Sequence, residues 1–503
     1  MVAKKLLAVD MGASGGKCFV GSFGDHGFSM QEIHRFAHEG TTFFAQDRHG
    51  VMTDRTVWDD TYIYRQILDG LHTYRRDVGD HLDAIGIDTW GADGMLVTAN
   101  GDIPGKVYCY RDHRLDGMID EVKARIDAAR LYQITGIHFQ PFNLSNQLLW
   151  LVQHRPELLA LADTYLPISS LFNFYLAGVK KVDSSGASVT QLMDAHTREW
   201  SDEVLDALGI PMRIMPGIVD PGTTIGSVSK PLADMLRLNQ ASLIAVASHD
   251  TASAYAAAPI ANPAEALIIS AGTWCLVGKL VPEPLTGSEA LNANLSNEGG
   301  IGNTRLLKNC MGGWLVQELR RGWRIADGKE MGWAEMDSMT HQAPAFTALI
   351  DPDAPVFYNP ENMEAAIVGF CKSTGQPIPA GRGGFMRLVY ESLALKYRLV
   401  NEQICKTSGT KTNVVHIVGG GSKNVMLNQF TADALGVPVV AGPEEATAVG
   451  NLMVQAVGLG LIRTMQDALP IIRQAFPIRD YKPQATGAWD NAYSRFKGLC
   501  GQK

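Results

Sequence analysis

The sequence predicts an α/β fold in two similar halves around a central cleft, on three observations. Strand-like and helix-like segments alternate along the 503 residues, the pattern of sheets covered by helices. A strand, a glycine turn and a second strand open the chain. The same unit returns near midchain, and one such hairpin per half indicates a duplicated architecture.

The first hairpin starts with LLAVDMG (Leu6–Gly12), a short apolar run ending in turn residues. Ala13, Ser14, Gly15, Gly16 and Lys17 follow. Then KCFVGSF (Lys17–Phe23) is β-branched and aromatic, with apolar residues alternating around Gly21. A P-loop or a dinucleotide-binding fingerprint needs a helix directly after its glycines. A strand in that place excludes a nicotinamide dehydrogenase and predicts a β-hairpin.

The midchain copy is ALIISAGTW (Ala266–Trp274) followed by CLVGKL (Cys275–Leu280). A third unit, Asn413–Gly436, reads as a strand over Val414–Val418 and a turn at Gly419–Gly421. Ser422 is its expected N-cap, and Gly436 closes the helix. Pro259 and Pro263 interrupt helix-compatible sequence and set a boundary. The expected domains are therefore 1–259 and 260–485. Residues 486–503 form a docking tail, with Trp489, Tyr493 and Phe496 at helical spacing.

Hydrophobic residues make up 46% of the chain, ample for two cores, and the net charge is −8. An acidic chain argues against a nucleic-acid partner, which selects a basic stripe. It still allows a phosphate held by backbone N–H groups. The seven cysteines are scattered, with no C-x-x-C pair, and read as reduced thiols. The opening MVAKKLLAVDMG has too short an apolar run for a signal peptide. No stretch approaches the ~18 apolar residues of a membrane span. The expectation is a cytoplasmic protein without a membrane partner.

Phosphoryl transfer needs a phosphate grip, a metal, a positioned hydroxyl and a base. Gly12, Gly15 and Gly16 lack Cβ atoms, so backbone N–H groups can approach phosphate oxygens. Lys17 adds charge, and Gly272 with Thr273 repeats the geometry. Ordinary tight turns are the alternative reading. Asp10, ending a strand beside the glycines, suits hard Mg²⁺. In IAVASHDTASAYAAAP (Ile244–Pro259) an apolar strand, Ile244–Ala247, runs into Ser248-His249-Asp250-Thr251 and then a helix. Asp250 there can take a hydroxyl's proton; simple N-capping is the alternative.

A sugar pocket needs polar and aromatic groups together. IGIDTWGADGMLV (Ile85–Val97) reads as strand–turn–strand, with Asp88, Trp90 and Asp93 around Gly91. YCYRDHR (Tyr108–Arg114) adds Arg111, Asp112 and Arg114. Trp90 as core and Arg111–Asp112 as a surface ion pair is the alternative.

At this point the motifs match a family. The chain resembles the FGGY carbohydrate kinases along nearly its whole length. The likeness rests on AVDMGASGGK, GIDTWGAD, YRDHR, GIHFQPFN, ASHDTASA, SAGTW, NLSNEGG, LLKNCMGGWLVQ, VVHIVGGGSKNVMLNQFTADALG and GPEEATAVGN, in the family's order. It implies two actin-like (ribonuclease H-like) domains around a cleft. It also implies Mg²⁺ and ATP as cofactors in phosphorylating a ketose at its 1-hydroxyl.

The expected ketose is L-rhamnulose, with L-fuculose or D-xylulose as the alternative. An actin- or Hsp70-like ATPase without a sugar is the competing class. By resemblance, Ala13–Lys17 and Thr273 match phosphate positions, and Gln317, Gly420 and the adjoining Gly421 match ATP positions. Asn309, Gly91 and His249–Thr251 match substrate contacts. Asp250 matches the proton acceptor and, with Asp10, is the expected metal contact. Trp90, Asp93 and Arg111 complete the expected sugar site. Ser169 departs from the family's usual Asp, and Ala92 and Gly94 also depart near the sugar site. A homodimer is left open.

Overall fold

The computed structural model describes residues 3–25, 27–47, 50–484 and 486–501. The last two residues of the expected tail, and the first two of the chain, lie outside the described residues. The chain packs into two compact units. The first holds Met1–Ala257, Val281–Leu306 and Ala446–Ala475; the second holds Ala258–Leu280, Leu307–Glu445 and Phe476–Lys503. The first change of unit lies close to the prolines that suggested a boundary. The chain then returns twice to the first unit, which a single division at 259/260 did not anticipate.

In the first unit, β1 (Lys4–Gly12), β2 (Gly15–Gly24), β3 (Gly27–Ala37), β4 (Ala84–Thr89), β5 (Thr224–Ser227) and β6 (Ser242–Ile244) form a sheet ordered β5-β6-β4-β1-β2-β3. Strand β1 pairs antiparallel with β2, closing at Gly12↔Gly15, and parallel with β4, which sets Asp10 beside Asp88. Residues Leu6–Val9 are completely buried, as befits a strand covered on both faces. Leu7, Val9 and Met11 pack with Ile63, Ile67 and Leu71 of helix α1 (Asp60–Asp77) on one face. Leu6 and Ala8 meet Ala448, Leu452 and Ala456 on the other.

Those last residues belong to a helix from the distant Ala446–Gly458 segment. Helix α2 (Asp250–Ala256) packs against it at Gly450, where a Cβ would sit 1.8 Å from the Ser253 carbonyl oxygen. Only glycine permits that approach.

The strand leading to Asp250 ends earlier than the apolar run suggests. It covers Ser242–Ile244, and Ala245–Ser248 continue without regular pairing. The ladder resumes only as one parallel bridge, Thr89↔His249. The expected Ile85–Val97 hairpin is also different. Gly94–Val97 pairs with Thr164–Pro167 rather than with β4. Asp93, at φ +77°, turns the chain into that separate ribbon.

In the second unit, β7 (Ala266–Ala271) and β8 (Trp274–Val281) form the midchain hairpin. With β9 (Thr304–Met311), β10 (Val414–Val418), β11 (Val439–Ala441) and β12 (Arg479–Tyr481) the order is β9-β8-β7-β10-β11-β12. After β10 the glycines enter a short 3₁₀ turn, Gly420–Lys423. Asn424, not Ser422, caps the following helix Val425–Leu435, its Oδ1 accepting the Leu427 N–H at 2.9 Å. Ser422 instead donates its hydroxyl to the Gly419 carbonyl at 2.7 Å. The C-terminal helix Thr486–Leu499 buries Trp489, Tyr493 and Phe496, and Trp489 packs on Phe430 and Phe346.

Candidate active site

The site in the first unit grows from adjacent strand ends. The Thr89 N–H donates to the Ser248 carbonyl at 2.8 Å, and the Trp90 N–H to Met11 at 3.1 Å. Three loops, one each after β1, β4 and β6, are thereby stitched together. Asp183 braces the third, accepting the Ser248 N–H at 2.9 Å together with Ser185 and Gly186. The only local mark of Asp183 in the sequence is the V-D-S-S-G string, an Asp poised to cap a helix.

This stitching brings Asp10, Asp88, Gly91, His249, Asp250 and Thr251 together. Asp88 is completely buried and takes the Asn451 amide at 2.5 Å. Burial first, then the charges of Asp10 and Asp250, push its carboxyl well above the usual range. The cluster thus carries surplus negative charge. Among the described residues no group of three or more His, Cys, Asp or Glu has metal-holding geometry. A Mg²⁺ here would therefore draw on few carboxylates, with phosphate and water completing its shell.

Asp250 is the first residue of its helix, with its side chain 30% exposed. The capping position falls to His249, which makes no side-chain cap bond. Gly91 lies against the His249 ring, and a Cβ there would be 2.8 Å from Nε2. Two further residues, absent from the sequence reading, stand behind the ring. Glu298 Oε2 is 3.3 Å from His249 Nδ1, and Arg305 is ion-paired to Glu298 at 3.1 Å. Burial alone would raise Glu298, but the Arg305 charge and the His249 contact outweigh it and hold it at about 2. Glu298 lies in N-L-S-N-E-G-G and Arg305 just before L-L-K-N, where nothing local signals a partner at His249.

Trp90 and Asp93, expected to touch sugar, are buried at 6% and 1% exposure. Asp93 accepts both the Trp90 and Trp58 indole N–H groups, at 3.0 and 2.7 Å, and the Gln147 amide at 3.1 Å. Burial raises its carboxyl, and the indole bonds oppose the shift. The polar atoms of both residues thus already have protein partners, two indoles and an amide converging on the one carboxylate. Arg111 is exposed and stacked on Tyr110, its Nε 3.0 Å from that hydroxyl. Asp112 does not pair with it on the surface. Asp112 is buried, accepts the Arg114 N–H at 2.9 Å and lies 3.6 Å from the Arg114 guanidinium.

At the first hairpin tip only Ala13 and Ser14 lie outside the strands. Gly15 and Gly16 are required by packing: a Cβ would lie 2.6 Å from the Phe36 carbonyl oxygen or 2.4 Å from the Phe36 ring. Lys17 stands opposite Asp10 in the β1–β2 register.

The remaining expected residues belong to the second unit. Gly272 and Thr273 form the exposed β7–β8 turn. The Gly272 carbonyl accepts the Gly313 N–H at 2.9 Å, and the Thr273 carbonyl accepts those of Gly312 and Trp314 at 3.2 Å. This ties the turn to the start of helix Trp314–Asp327, whose first turn presents Gln317. Gly421 lies against β7, where a Cβ would meet the Ala271 methyl at 2.4 Å, while Gly420 is exposed. Asn309 on β9 has a buried Oδ1 that no described residue satisfies.

Two family models match the chain: the N-terminal domain of the FGGY family of carbohydrate kinases over residues 7–256, and the C-terminal domain over 267–459. The chain belongs to the FGGY family of carbohydrate kinases. A rhamnulokinase of Bacteroides thetaiotaomicron is 37% identical over 499 residues, covering 98% of this chain and 99% of that one. One from Pectobacterium atrosepticum is 37% identical over 502 residues, covering 99% and 97%.

Among solved structures, a ligand-bound xylulose kinase from Lactobacillus acidophilus superposes with a TM-score of 0.78 at 17% identity, covering 99% of this chain and 97% of that one. A Plasmodium falciparum glycerol kinase with ADP gives 0.76 at 15% identity, with the same coverages. These likenesses establish the actin-like fold of FGGY kinases. The family makes this chain a sugar kinase that transfers phosphate from ATP to an alcohol. That removes the reading of an ATPase without a sugar. No helix among the described residues is long and apolar enough to cross a membrane.

Proposed function

We propose that this FGGY kinase phosphorylates L-rhamnulose at its 1-hydroxyl, with Asp250 as the base. The observation that carries the reading is the partly exposed Asp250 carboxylate at a helix start, flanked by Thr251 and by His249, whose ring lies against Gly91. The full-length likeness to rhamnulokinases supports the choice of ketose. The sugar's hydroxyl gives its proton to Asp250 as its oxygen bonds the γ-phosphorus, and the bond to the ADP oxygen breaks. Thr251, His249, Arg111 and Asn309 are the proposed sugar contacts.

The phosphates are gripped by backbone N–H groups of Ala13–Lys17 and by Thr273, with Lys17 adding charge. Gln317, Gly420 and Gly421 receive the rest of the nucleotide. Bound Mg²⁺ would neutralise phosphate charge, with Asp10 and Asp250 as its nearest carboxylates. Asp10, paired in register with Asp88, and Asp250 both act electrostatically on Asp88, so the three carboxyl groups lie close enough together for a cation to be favoured there. The free thiols suit a reducing cytoplasm.

The test is ADP release measured with L-rhamnulose, L-fuculose, L-ribulose, D-xylulose, D-ribulose and glycerol. The expected result is turnover that depends on sugar, with the highest kcat/KM for L-rhamnulose. A higher value for D-xylulose or L-fuculose would reassign the substrate within the same chemistry.

A further inference from the structure

Backbone N–H groups bind a phosphate well when their peptide planes are set beforehand, because ordering them on binding costs affinity. The first hairpin has a two-residue tip, Ala13 and Ser14, between β1 and β2. Three carbonyls around this tip have fixed donors. That of Met11 takes the Trp90 N–H at 3.1 Å. Those of Gly12 and Ser14 are both held by one residue, His38, directly after β3.

The His38 ring Nε2 lies 2.9 Å from the Gly12 carbonyl oxygen, and the His38 backbone N–H donates to the Ser14 carbonyl at 3.3 Å. A carbonyl only accepts, so Nε2 carries the hydrogen of that bond. The buried Nδ1 has no hydrogen-bond partner among the described residues, which leaves Gly12 as the ring's polar anchor.

The residue is buried, at 8% exposure. Its ring centroid lies 5.3 Å from that of Trp58, edge-on at 76°, and 5.3 Å from that of Trp90. Both indoles are in turn held by their N–H bonds to Asp93. The ring is thus walled by side chains of fixed orientation. Two residues earlier, Phe36 covers Gly15 and Gly16. The end of β3 therefore supports the whole turn, Phe36 by contact and His38 by hydrogen bonds.

A trans peptide plane carries its C=O and the following N–H in opposite directions. Holding the Gly12 carbonyl on the ring therefore turns the Ala13 N–H away from it. Without the ring's donor that plane could rotate, and the N–H would lose its aim.

We propose that His38 is a positioning residue of the phosphate turn, its Nε2–H and backbone N–H holding the Gly12 and Ser14 carbonyls so that the Ala13 N–H is set to receive a phosphate oxygen. This rests on the reading of Ala13–Lys17 as the phosphate grip.

The test compares two variants of the full chain. His38→Phe keeps a flat ring against Trp58 and Trp90 but has no N–H; His38→Gln loses the ring but returns an N–H near the Nε2 position. The readouts are the Kd for ADP by calorimetry, the KM for ATP and for L-rhamnulose, and the thermal midpoint. His38→Phe is expected to weaken ADP and ATP about fivefold while the sugar KM stays within about twofold. His38→Gln is expected to return both nucleotide values to within about twofold of native. Native ADP affinity in folded His38→Phe, equal weakening in both variants, or a loss confined to sugar would overturn the proposal. His38→Leu, which also lacks a donor, takes the place of His38→Phe if the phenyl ring is not accommodated.

Ala13→Pro deletes the aimed N–H itself and is expected to weaken ADP at least about tenfold; Lys17→Ala serves the same purpose if the proline variant does not fold. Native ADP affinity there would overturn the reading of the turn and this inference together. A loss there with none at His38→Phe would overturn only the inference.

Discussion

The two units hold their functional residues by different means. In the first, the site is dense in charge: Asp10, Asp88 and Asp250 share one region, and a buried Glu298–Arg305 pair stands behind His249. In the second, Thr273, Gln317, Gly420, Gly421 and Asn309 are all uncharged, and backbone contacts fix the turns. The hairpins repeat the contrast. The first turn is set by glycines packed under Phe36, the second by carbonyls that accept the amides of Gly312, Gly313 and Trp314. The ionisable cluster proposed to move the proton lies in the first unit, together with the proposed phosphate turn Ala13–Lys17, while the second holds the proposed nucleotide positions Thr273, Gln317, Gly420 and Gly421 and one proposed sugar contact, Asn309. Damage to the Asp250 cluster should appear in kcat and sugar affinity, and damage to the phosphate turn or to Gly420 and Gly421 in ATP affinity.

The sharpest way to break this division is Asp250→Asn. Turnover is expected to fall by at least ~10²-fold with both substrates still bound; steady-state kinetics with sugar and ATP varied separately would check it. An equal loss in ATP affinity would end the division. Next is Gly91→Ala, which sets a methyl 2.8 Å from the His249 ring. The KM for sugar should rise about tenfold through the displaced ring, and an unchanged value would remove His249 from the sugar site.

Gly421→Ala is the counterpart in the second unit, crowding Ala271 at 2.4 Å. It should raise the KM for ATP about fivefold through a small backbone shift and leave that for sugar unaltered. Lys17→Ala should weaken ATP about threefold; a larger effect on sugar would show Lys17 misplaced.

The smallest effect concerns acid. Glu298 lies at about 2 in the folded chain against an ordinary 4.5. A lowered folded value means that its ionised form adds stability, complete above about 4.5 and lost as pH falls toward about 2. The urea midpoint of Glu298→Gln should therefore fall less across that window than that of the native chain. Parallel pH curves would deny the pair its electrostatic role.

Both hairpins were legible because their cause is local. A strand-forming run directly after a glycine turn cannot open a helix, and alternation at Lys17–Phe23 has the period of a strand. The strand at Val414–Val418 and the C-terminal helix through Trp489, Tyr493 and Phe496 were legible for the same reason. Where two local solutions compete, reading the chain failed by small steps. Ser422 and Asn424 are both good caps, and the carbonyl of Gly419 drew the serine away. The apolar Ala245–Ala247 looks like strand, yet its neighbours β5 and β4 offer no regular ladder there.

Within the candidate site, Asp250, Gly91 and His249 stand in recognisable strings, so the chain itself points to this region. The Asp93 carboxylate satisfied by Trp58 and Gln147 is invisible in sequence, since those partners lie 35 and 54 residues away. The same holds for Asn451 on Asp88, 363 residues distant.

By itself the sequence determined the kind of fold, the two glycine turns and an aspartate at the start of a helix after an apolar run, because hydrophobic period and turn chemistry act over a few neighbours. Only the tertiary structure decided that Val281–Leu306 and Ala446–Ala475 return to the first unit, and that Glu298 and Arg305 stand behind His249. Burial and charge pairing act through space, and a buried carboxylate accepts whichever donor the packing brings within reach.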